Sequence, residues 1–552
     1  MQASAHIDTF TRDHLPPRAQ WPVFLFDGLP DTTMAPRLNA ATALLETDAH
    51  RAWRERIAFR WLEEGREHTL SYQALVRLVD RIAHVLVGPM GLVPGNRLLL
   101  RGRNSPLMAA AWLAAVKAGL VTVPTMPMLR RSELRIIMDK ARVQAALCET
   151  SLLGELQAAC AVPGQSDIPP GGILGFGGAA DEGLEALLPA MPATFSACDT
   201  AGDDVCLIAF TSGTTGEPKA CLHFHRDILA MCDTFGRHVL RLVPDDIVIG
   251  TPPLAFTFGL GGLLCFPLHA GASTALVGHE GPEVLMAQIR TLGVTTLFGP
   301  PTLYRQMAAN MPEGGLPSLR LCVSAGEALP DATRRLWKQA SGIEMLDGIG
   351  GTEMMHIYIA SAPDAVRRGA IGRVVPGYEA RVVDAQMQSV PPGTVGRLAV
   401  RGPTGCRYLA DARQTEYVQQ GWNLTGDRLF CDEDGYFHYQ ARNDDIIVSA
   451  GYSIAAPEVE DALLSHEAVA ECAVVGRPHP LRGTIVHAFV VLHPGWTPGS
   501  EMALQLQAHA RRCVAPYKYP RAITFVDRLP RSPTGKLQRF ALRDADNPNR
   551  PG

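Results

Sequence analysis

The chain has 552 residues, too many for one hydrophobic core, and 47% of them are apolar, which is typical of folded enzymes. A formal net charge of −4 gives no basic surface of the kind that binds nucleic acid. Twelve cysteines stand singly, without a C-x-x-C pair, which argues against a zinc site and indicates buried thiols in a reducing compartment. We therefore expect a cytoplasmic protein of two or more domains that has no nucleic-acid partner.

The first third of the sequence alternates short apolar runs with helical segments. Strands are predicted at 97–100 and 120–123, and the helix between them, at 108–118, is capped by Ser105 and begins near Pro106. Further elements of this kind are expected in chain order: a helix capped by Ser132, a strand at 143–148, a helix at 284–292, and strands at 294–298 and 319–324. This alternation predicts an α/β fold whose parallel sheets have helices on both faces.

Two segments of the large part need separate interpretation. Residues 161–203 are rich in Gly, Ala and Pro and are predicted to form a long loop with one short helix at 183–188. The segment between Asp246 and Glu280 has no charged residue and is long enough to span a bilayer. Three prolines would break such a helix, so we interpret this segment as buried strands and loops, with no membrane partner.

A polar break at 442–445, Arg-Asn-Asp-Asp, follows the last expected strand of the large part, at 435–439. After this break a compact pattern predicts strands and helices in the following order: a strand at 446–449, a helix at 457–465, strands at 470–475 and 487–492, and a helix at 503–513. We expect a large N-terminal domain at 1–441, a hinge at 442–445 and a small α+β domain at 446–552.

The segment 211–219, Thr-Ser-Gly-Thr-Thr-Gly-Glu-Pro-Lys, follows an apolar run at 205–210. The backbone N–H groups and hydroxyls of such a turn suit phosphate oxygens, and Lys219 adds a positive charge at the exit. Because Lys219 lies between Pro218 and Ala220, the segment does not match the Walker motif G-x-x-x-x-G-K-[ST]. It closely resembles the phosphate loop of the AMP-forming acyl- and aryl-CoA synthetases.

Five further motifs follow in the order that this superfamily has them. They are SAGEALP at 324–330, DGIGGTE at 347–353, TGD at 425–427, RNDD at 442–445 with SAGY at 449–452, and LPRSPTGK at 529–536. The resemblance extends from about Asp31 to Arg543. It implies a multi-sheet N-terminal domain with a small mobile C-terminal domain, and the cofactors ATP, Mg²⁺ and coenzyme A.

The resemblance also implies a role for individual residues. The β- and γ-phosphates of ATP are expected on the loop residues Thr211, Ser212, Gly213, Thr214, Thr215, Gly216 and Lys219. Adenine is expected on Gly326, Glu327, Asp347, Gly348, Ile349, Gly350 and Gly351. Glu353 and Thr215 would bind Mg²⁺, a hard cation that prefers oxygen ligands, and Thr352 would contact the α-phosphate. Asp427 would accept hydrogen bonds from the ribose, with Arg442 beside it.

Lys536 is expected to neutralise charge where the acid attacks the α-phosphorus. In the family the small domain rotates about a hinge, which corresponds here to Asp444. One orientation presents Lys536 for adenylate formation, and the other presents Gly451, which lets the thiol of coenzyme A pass. Arg477 and Arg482 either contact phosphates of coenzyme A or are solvated loop arginines.

The acid pocket resembles that of the benzoate-CoA and 2-aminobenzoate-CoA ligases. The expected pocket residues are Ala255, Phe256, Thr257, Ala325, Gly350 and His356, with Phe256 as a gating aromatic. His356 is either a pocket residue or a hydrogen-bonded core histidine. We expect a small aromatic acid as the substrate, with 2-aminobenzoate first and benzoate or another small aromatic or alicyclic acid as the alternative.

Two other functions remain open from the sequence. A stand-alone adenylation enzyme would load a carrier protein instead of coenzyme A, although no carrier segment is fused to the chain. A silent paralogue would bind nucleotide without catalysis, but Lys536, Glu353 and Asp427 are all present. A serine hydrolase is excluded because the G-x-S-x-G elbow is missing. For the oligomeric state, we expect a monomer or a homodimer.

Overall fold

The computed structural model describes residues 3–161, 168–169, 171–179, 182–211, 218–278, 281–442, 445–449, 452–479, 483–515, 517–531 and 536–543. The predicted site residues Ser212, Gly213, Thr214, Thr215, Gly216, Asp444 and Gly451 lie outside these ranges.

The first sheet of the large domain has six strands. In spatial order they are Ile173–Phe176, Ala145–Glu149, Arg97–Arg101, Val121–Thr125, Val205–Thr211 and Lys219–Phe224. The first five run parallel, and Lys219–Phe224 pairs antiparallel at the edge. The helix Pro106–Lys117 connects two neighbouring strands and begins as predicted, because Ser105 Oγ accepts a hydrogen bond from the Met108 N–H at 3.2 Å.

The second sheet has nine strands. In spatial order they are Arg373–Val374, Ile357–Ala360, Met345–Gly350, Leu321–Ala325, Thr296–Gly299, Ile247–Gly250, Ser273–Ala275, Ile57–Glu63 and Arg66–Ser71. Six central strands, from Met345–Gly350 to Ile57–Glu63, run parallel, and the outer strands are antiparallel. The alternation of strands and helices therefore produces parallel sheets, as the sequence predicted.

A third, antiparallel sheet completes the large domain. Its strands are Glu379–Val383, Gly396–Arg401, Trp422–Cys431, Val418–Gln419 and Phe437–Arg442. The small domain follows with the hairpin Ile446–Ser449 and Tyr452–Ala455, and with a sheet of Val469–His479, Gly483–Leu492 and Ala522–Phe525. Its own buried cluster includes Val459, Leu463 and Leu506. The molecule is thus a mixed α/β protein with a large multi-sheet domain and a smaller C-terminal domain.

The α-helices of the large domain are Phe10–Asp13, Ala40–Leu45, Asp48–Trp53, Tyr72–Val87, Pro106–Lys117, Arg131–Ala141, Leu153–Cys160, Gly183–Leu187, His225–Met231, Thr257–Leu260, Phe266–Ala270, Pro282–Leu292, Pro301–Ala309, Asp331–Ser341 and Gln414–Tyr417. Those of the small domain are Ala456–Leu464, Ser500–Cys513 and Arg539–Arg543. Short 3₁₀ turns lie at Arg18–Gln20, Thr150–Leu152, Leu188–Ala190 and Thr352–Met354, and π-helical turns at Cys232–Leu240 and Gly261–Cys265.

Two local predictions were wrong. Ser132 does not cap its helix, because the helix already begins at Arg131. The cap is the Glu133 carboxylate, which accepts a hydrogen bond from the Arg130 N–H at 2.9 Å. The region 161–203 is not loop with a single helix, because it also contributes the edge strand Ile173–Phe176. That strand is short and its register comes from pairing with a distant strand, which no local pattern reveals.

The uncharged segment after Asp246 is buried as predicted, but its middle is helical rather than strand and loop. Three consecutive helical turns extend from Thr257 to Ala270. Their glycines are needed for packing, since a Cβ on Gly262 would lie 2.7 Å from the Phe298 ring. None of the helices in the described ranges combines the length and apolar character needed to cross a bilayer.

Candidate active site

A cleft of about 1650 Å³ lies between the two domains. Parallel strands of both large sheets end at this cleft, where Thr211, Gly326 and Gly350 form part of its wall. Crevices at the carboxyl ends of parallel strands are the usual ligand sites of open α/β sheets. The predicted site residues that line the cleft are Thr211, Lys219, Ala255, Phe256, Gly326, Glu327, Gly350, Gly351, Thr352, Glu353, Asp427, Arg442 and Lys536.

One wall of the cleft brings together a carboxylate and a lysine. The Tyr408 hydroxyl donates a 2.7 Å hydrogen bond to Glu353 Oε1, and the side chain of Tyr408 is fully buried. Lys219 Nζ lies 5.2 Å from the centroid of the Tyr408 ring and 6.0 Å from that of Tyr417. Tyr408 therefore fixes the carboxylate through its hydroxyl and attracts the ammonium group to its ring face.

This wall suits a hard cation bound with phosphate. No cluster of three His, Cys, Asp or Glu side chains able to hold a metal occurs among the described residues. Mg²⁺ in nucleotide sites is usually held by one or two carboxylates and by the phosphates themselves, so one fixed carboxylate is sufficient. Glu353 lies in the cleft and meets this requirement.

A second wall holds an aspartate and an arginine on paired strands. Asp427 and Arg442 are opposite each other in the antiparallel pair of Trp422–Cys431 with Phe437–Arg442. Burial raises the pKa of Asp427, and the neighbouring Asp427 carboxylate raises the pKa of Arg442. The Arg442 guanidinium also donates to the Thr425 carbonyl at 3.3 Å. A buried carboxylate of this kind gains from hydroxyl groups that hydrogen-bond to it.

The small domain contributes Lys536 to the cleft. Lys536 is exposed to solvent where it lines the cleft, and desolvation by the surrounding residues lowers the pKa of its ammonium group. The nearby Arg442 lowers this pKa further, whereas the carboxylates of Glu353, Glu327 and Asp427 oppose the shift. Lys536 is therefore close to both walls of the cleft.

Glu327 lies at the contact between the domains. Arg531 of the small domain donates to Glu327 Oε1 at 3.1 Å and to Glu471 at 2.7 Å. Burial raises the pKa of Glu327, and Arg531 opposes that shift. Gly326 beside it has a φ of +91°, a left-handed conformation that favours glycine.

Three of the residues predicted for adenine, Asp347, Gly348 and Ile349, do not line the cleft. The Asp347 carboxylate lies 3.8 Å from Arg334 and accepts a hydrogen bond from the Gly348 N–H at 2.9 Å. Burial raises the pKa of Asp347 to about 7. This part of the motif turns away from the cleft, and Gly350 and Gly351 are the members that reach it.

His356 lies in a cage of aromatic rings and is 3% exposed. Its ring centroid is 4.7 Å from that of Phe266, 5.2 Å from Phe235 and 5.8 Å from Phe258. A Cβ on Gly261 would lie 2.5 Å from the imidazole, so glycine is required there. Within the described ranges neither ring nitrogen has a hydrogen-bond partner of normal geometry. Burial lowers the pKa of His356 to about 3, opposed by the Phe258 backbone, so the imidazole is neutral.

The predicted pocket residues fall into two groups. Ala255, Phe256 and Gly350 line the cleft, whereas Thr257, Ala325 and His356 are buried behind its wall. Gly350 connects the groups, because a Cβ there would lie 2.6 Å from the His356 carbonyl oxygen. The cage is therefore separated from the cleft by a wall of small residues.

The sequence did not reveal Tyr417 or Arg305 as residues of this cleft, or Tyr408 as the buried partner of Glu353 behind its wall. All three lie outside the six motifs, in segments whose local pattern indicates only an ordinary strand, turn or helix. The one available signal was the aromatic spacing of Tyr408 and Tyr417 ahead of the TGD motif, which is too common to assign a role.

Comparison with known proteins identifies the family. The model of the AMP-binding enzyme family matches residues 45–408, and that of the AMP-binding enzyme C-terminal domain matches residues 458–536. A benzoate–CoA ligase of Thauera aromatica is 35% identical over 482 residues, which cover 86% of this chain and 90% of the relative.

Two solved structures resemble the whole molecule. The anthranilate CoA ligase AuaEII, in complex with anthranoyl-AMP, superposes with a TM-score of 0.87 at 31% identity, covering 94% of this chain and 99% of its own. A benzoate CoA ligase from Burkholderia xenovorans LB400 has a TM-score of 0.82 at 30% identity, covering 92% and 99%. Enzymes of this family use ATP, Mg²⁺ and coenzyme A. The chain belongs to the AMP-binding enzyme family and is an AMP-forming acid–thiol ligase close to the aryl-CoA ligases.

Proposed function

We propose that the enzyme converts 2-aminobenzoate, ATP and coenzyme A to 2-aminobenzoyl-CoA, AMP and diphosphate through an acyl-adenylate. The observation that carries the choice of acid is the phenylalanine cage around a neutral His356 whose ring nitrogens have no hydrogen-bond partner of normal geometry among the described residues. An unsatisfied buried polar group costs roughly 1–3 kcal/mol. In this proposal the wall at Gly350 moves to admit the amino group of the acid to the imidazole, and that contact offsets the cost. The similarity to ligases of anthranilate and benzoate supports an aromatic acid.

In the adenylation step the acid carboxylate attacks the α-phosphorus of ATP, and negative charge accumulates around that phosphorus. Lys536 neutralises this charge, and Lys219 stabilises the phosphates that leave as diphosphate. Glu353, oriented by Tyr408, would hold Mg²⁺, which would supply charge compensation when bound. Thr352 contacts the α-phosphate, and Asp427 accepts hydrogen bonds from the ribose. The phosphate-loop residues 212–216 complete the phosphate site in this proposal.

In the thioester step the thiol of coenzyme A attacks the acyl carbon, and AMP leaves. We propose that the small domain rotates about Asp444 between the two steps, within a hinge at 442–445 that separates domains 1–441 and 446–552. The rotation withdraws Lys536 and brings Gly451 to the thiol path. A cytoplasmic location and a monomeric or homodimeric state stay predictions, which cell fractionation and gel filtration test.

The substrate is tested by diphosphate release across a panel of aromatic, alicyclic and fatty acids, with and without coenzyme A. We expect 2-aminobenzoate to have the highest kcat/KM and benzoate the next highest, with fatty acids poor. One small substituent changes binding by only ~1–3 kcal/mol, so benzoate should remain a measurable substrate. A fatty acid with the highest kcat/KM would contradict the pocket assignment but not the ligase chemistry.

The role of His356 is tested by His356→Phe, which keeps a ring in the cage and removes its polar nitrogens. We expect the kcat/KM ratio of 2-aminobenzoate over benzoate to fall about tenfold, while the KM for ATP changes little. Phe235→Leu is a matched control, since it alters the cage and keeps the imidazole. An unchanged ratio in His356→Phe would contradict the assignment, and benzoate would become the preferred candidate. Thioester formation only when a carrier protein is supplied would favour the stand-alone adenylation enzyme.

A further inference from the structure

Arg305 joins the two domains through backbone carbonyl groups. It lies on the helix Pro301–Ala309 of the large domain and is not part of any of the six motifs. Its Nε donates to the Ala470 carbonyl at 3.1 Å, and one terminal nitrogen donates to the carbonyls of Leu464 at 3.1 Å and Val469 at 2.7 Å. A single side chain of the large domain thus makes three hydrogen bonds to the small domain.

One of these acceptors lies where a helix of the small domain ends, and the other two open the strand Val469–His479. Leu464 is the last residue of the helix Ala456–Leu464, and the final carbonyls of a helix lack partners within it. The Leu464 carbonyl also lies at the negative end of the helix dipole, which a cation stabilises. Arg305 is mostly withdrawn from solvent, and this burial lowers the pKa of its guanidinium. Hydrogen bonds from a charged donor in such a place are stronger than bonds between neutral groups.

The same helix is held at a second point and is connected to Lys536. The Ala332 N–H of the large domain donates to Asp461 on this helix at 2.9 Å. Glu460, the preceding residue, accepts hydrogen bonds from Arg539 at 2.8 and 2.9 Å. Arg539 is three residues after Lys536, so the position of the helix fixes the position of the segment that carries the lysine.

We propose that Arg305 is a positioning residue that holds the small domain in the orientation that places Lys536 in the cleft, and that it thereby favours adenylation over thioester formation. The part that concerns the two steps rests on the proposed function. The part that concerns the domain orientation rests only on the contacts of Arg305 with Leu464, Val469 and Ala470.

The orientation is tested without substrate by hydrogen–deuterium exchange of the Ala332 N–H, which is protected by its bond across the domain contact. Arg305→Met keeps the length of the side chain and removes its donors. We expect the peptide that contains Ala332 to exchange about tenfold faster in this variant, because loss of charged hydrogen bonds shifts the population towards the open state. Arg290→Met is the matched control, since Arg290 also donates to a carbonyl, that of Glu313 at 3.2 Å, but within the large domain. Unchanged exchange in Arg305→Met would overturn the proposal.

The effect on catalysis is tested on separate half-reactions of the same variants. We expect ATP–diphosphate exchange to fall about tenfold in Arg305→Met, while thioester formation from chemically made aroyl-adenylate and coenzyme A stays within about twofold of wild type. Arg305→Lys should recover part of the rate of ATP–diphosphate exchange that Arg305→Met loses. Equal loss in both half-reactions would show a merely structural role and would overturn the proposal. If the wild type adenylates no aromatic acid, the proposed function fails. Hydrogen–deuterium exchange of the Ala332 N–H still decides whether Arg305 holds the small domain in place.

Discussion

The two sides of the cleft are held in different ways. On the large-domain side, Glu353 is fixed by Tyr408, and Asp427 lies beside Arg442 on the paired strand that ends at the proposed hinge. On the small-domain side, Lys536 is placed by contacts that cross the domain boundary, such as Arg531 with Glu327. The first side is organised by the fold, whereas the second depends on how the domains are oriented.

This difference predicts which residues act in one half-reaction and which act in both. Large-domain residues proposed to hold the nucleotide would keep their place during the proposed rotation, so they are expected to act in both half-reactions. In the proposed rotation Lys536 leaves this position, so it is expected to act in adenylation alone. A variant on the small-domain side should therefore slow adenylation alone, whereas a variant on the large-domain side should slow both half-reactions.

The largest effect is expected for Lys536→Ala. Removal of a charge contact that stabilises the transition state typically lowers the rate by ~10²–10³-fold. We expect a loss of this size in ATP–diphosphate exchange, while thioester formation from premade aroyl-adenylate continues near the wild-type rate. Single-turnover assays of both steps measure the split. A loss of equal size in both steps would contradict the assignment of Lys536 to adenylation alone.

A smaller and more even effect is expected for Asp427→Asn on the other side. The amide keeps the size of the side chain but loses the charge that accepts hydroxyl hydrogen bonds. Each bond to a charged group is worth ~1.5–3 kcal/mol, so both half-reactions should slow by at least about tenfold. The same two assays provide the measurement. Selective loss of one half-reaction would show that the large-domain side is not shared between the steps.

Tyr408→Phe should have a more modest effect that is confined to magnesium and ATP. The ring that faces Lys219 remains, but the hydrogen bond to Glu353 is lost. We expect the Mg²⁺ concentration for half-maximal adenylation to rise about three- to tenfold, and calorimetry to show weaker binding of MgATP. Tyr417→Phe is the control, since it keeps a ring near Lys219 and the bond from Tyr408. Unchanged binding of MgATP in Tyr408→Phe would contradict the role of the hydroxyl.

The smallest effect is expected from Asp347→Asn, whose position is turned away from the cleft. The pKa of Asp347 is raised to about 7 in the folded state, above its value near 4 in the unfolded chain. Between these values the folded state binds more protons, so wild-type stability falls as pH rises from about 4 to 7. Asn cannot ionise, so the variant does not lose stability in this way. The Tm of Asp347→Asn minus the Tm of the wild type should therefore increase by roughly 1–4 °C between pH 4 and pH 7. A Tm difference that is independent of pH would contradict the raised pKa.

Much of the fold could be predicted because local signals and packing agree. The helix Pro106–Lys117 has a Ser cap and a Pro at its start, and its neighbouring strands are continuous apolar runs. The strand Ile173–Phe176 was missed because its position comes from pairing with Ala145–Glu149 rather than from its own composition. The helical turns from 257 to 270 were missed because their glycines lower helix propensity, and their role in close packing appears only in three dimensions.

The candidate site was predictable where chemistry and motif coincide. Lys219, Glu353, Asp427 and Lys536 are far apart in sequence and line one cleft. Tyr408, which bonds to Glu353, and Arg305, which bonds to the small domain, were not predictable, since only the fold brings each near its partners.

The most direct test of the central claim is one rapid-quench experiment with stoichiometric enzyme, ATP, Mg²⁺ and labelled 2-aminobenzoate, in which coenzyme A is added second. Before coenzyme A, we predict an amount of aroyl-adenylate equal to the enzyme, with one diphosphate released for each. After its addition, the label should move to the thioester with release of AMP. Formation of ADP and phosphate, or transfer of no label to coenzyme A, would contradict the account.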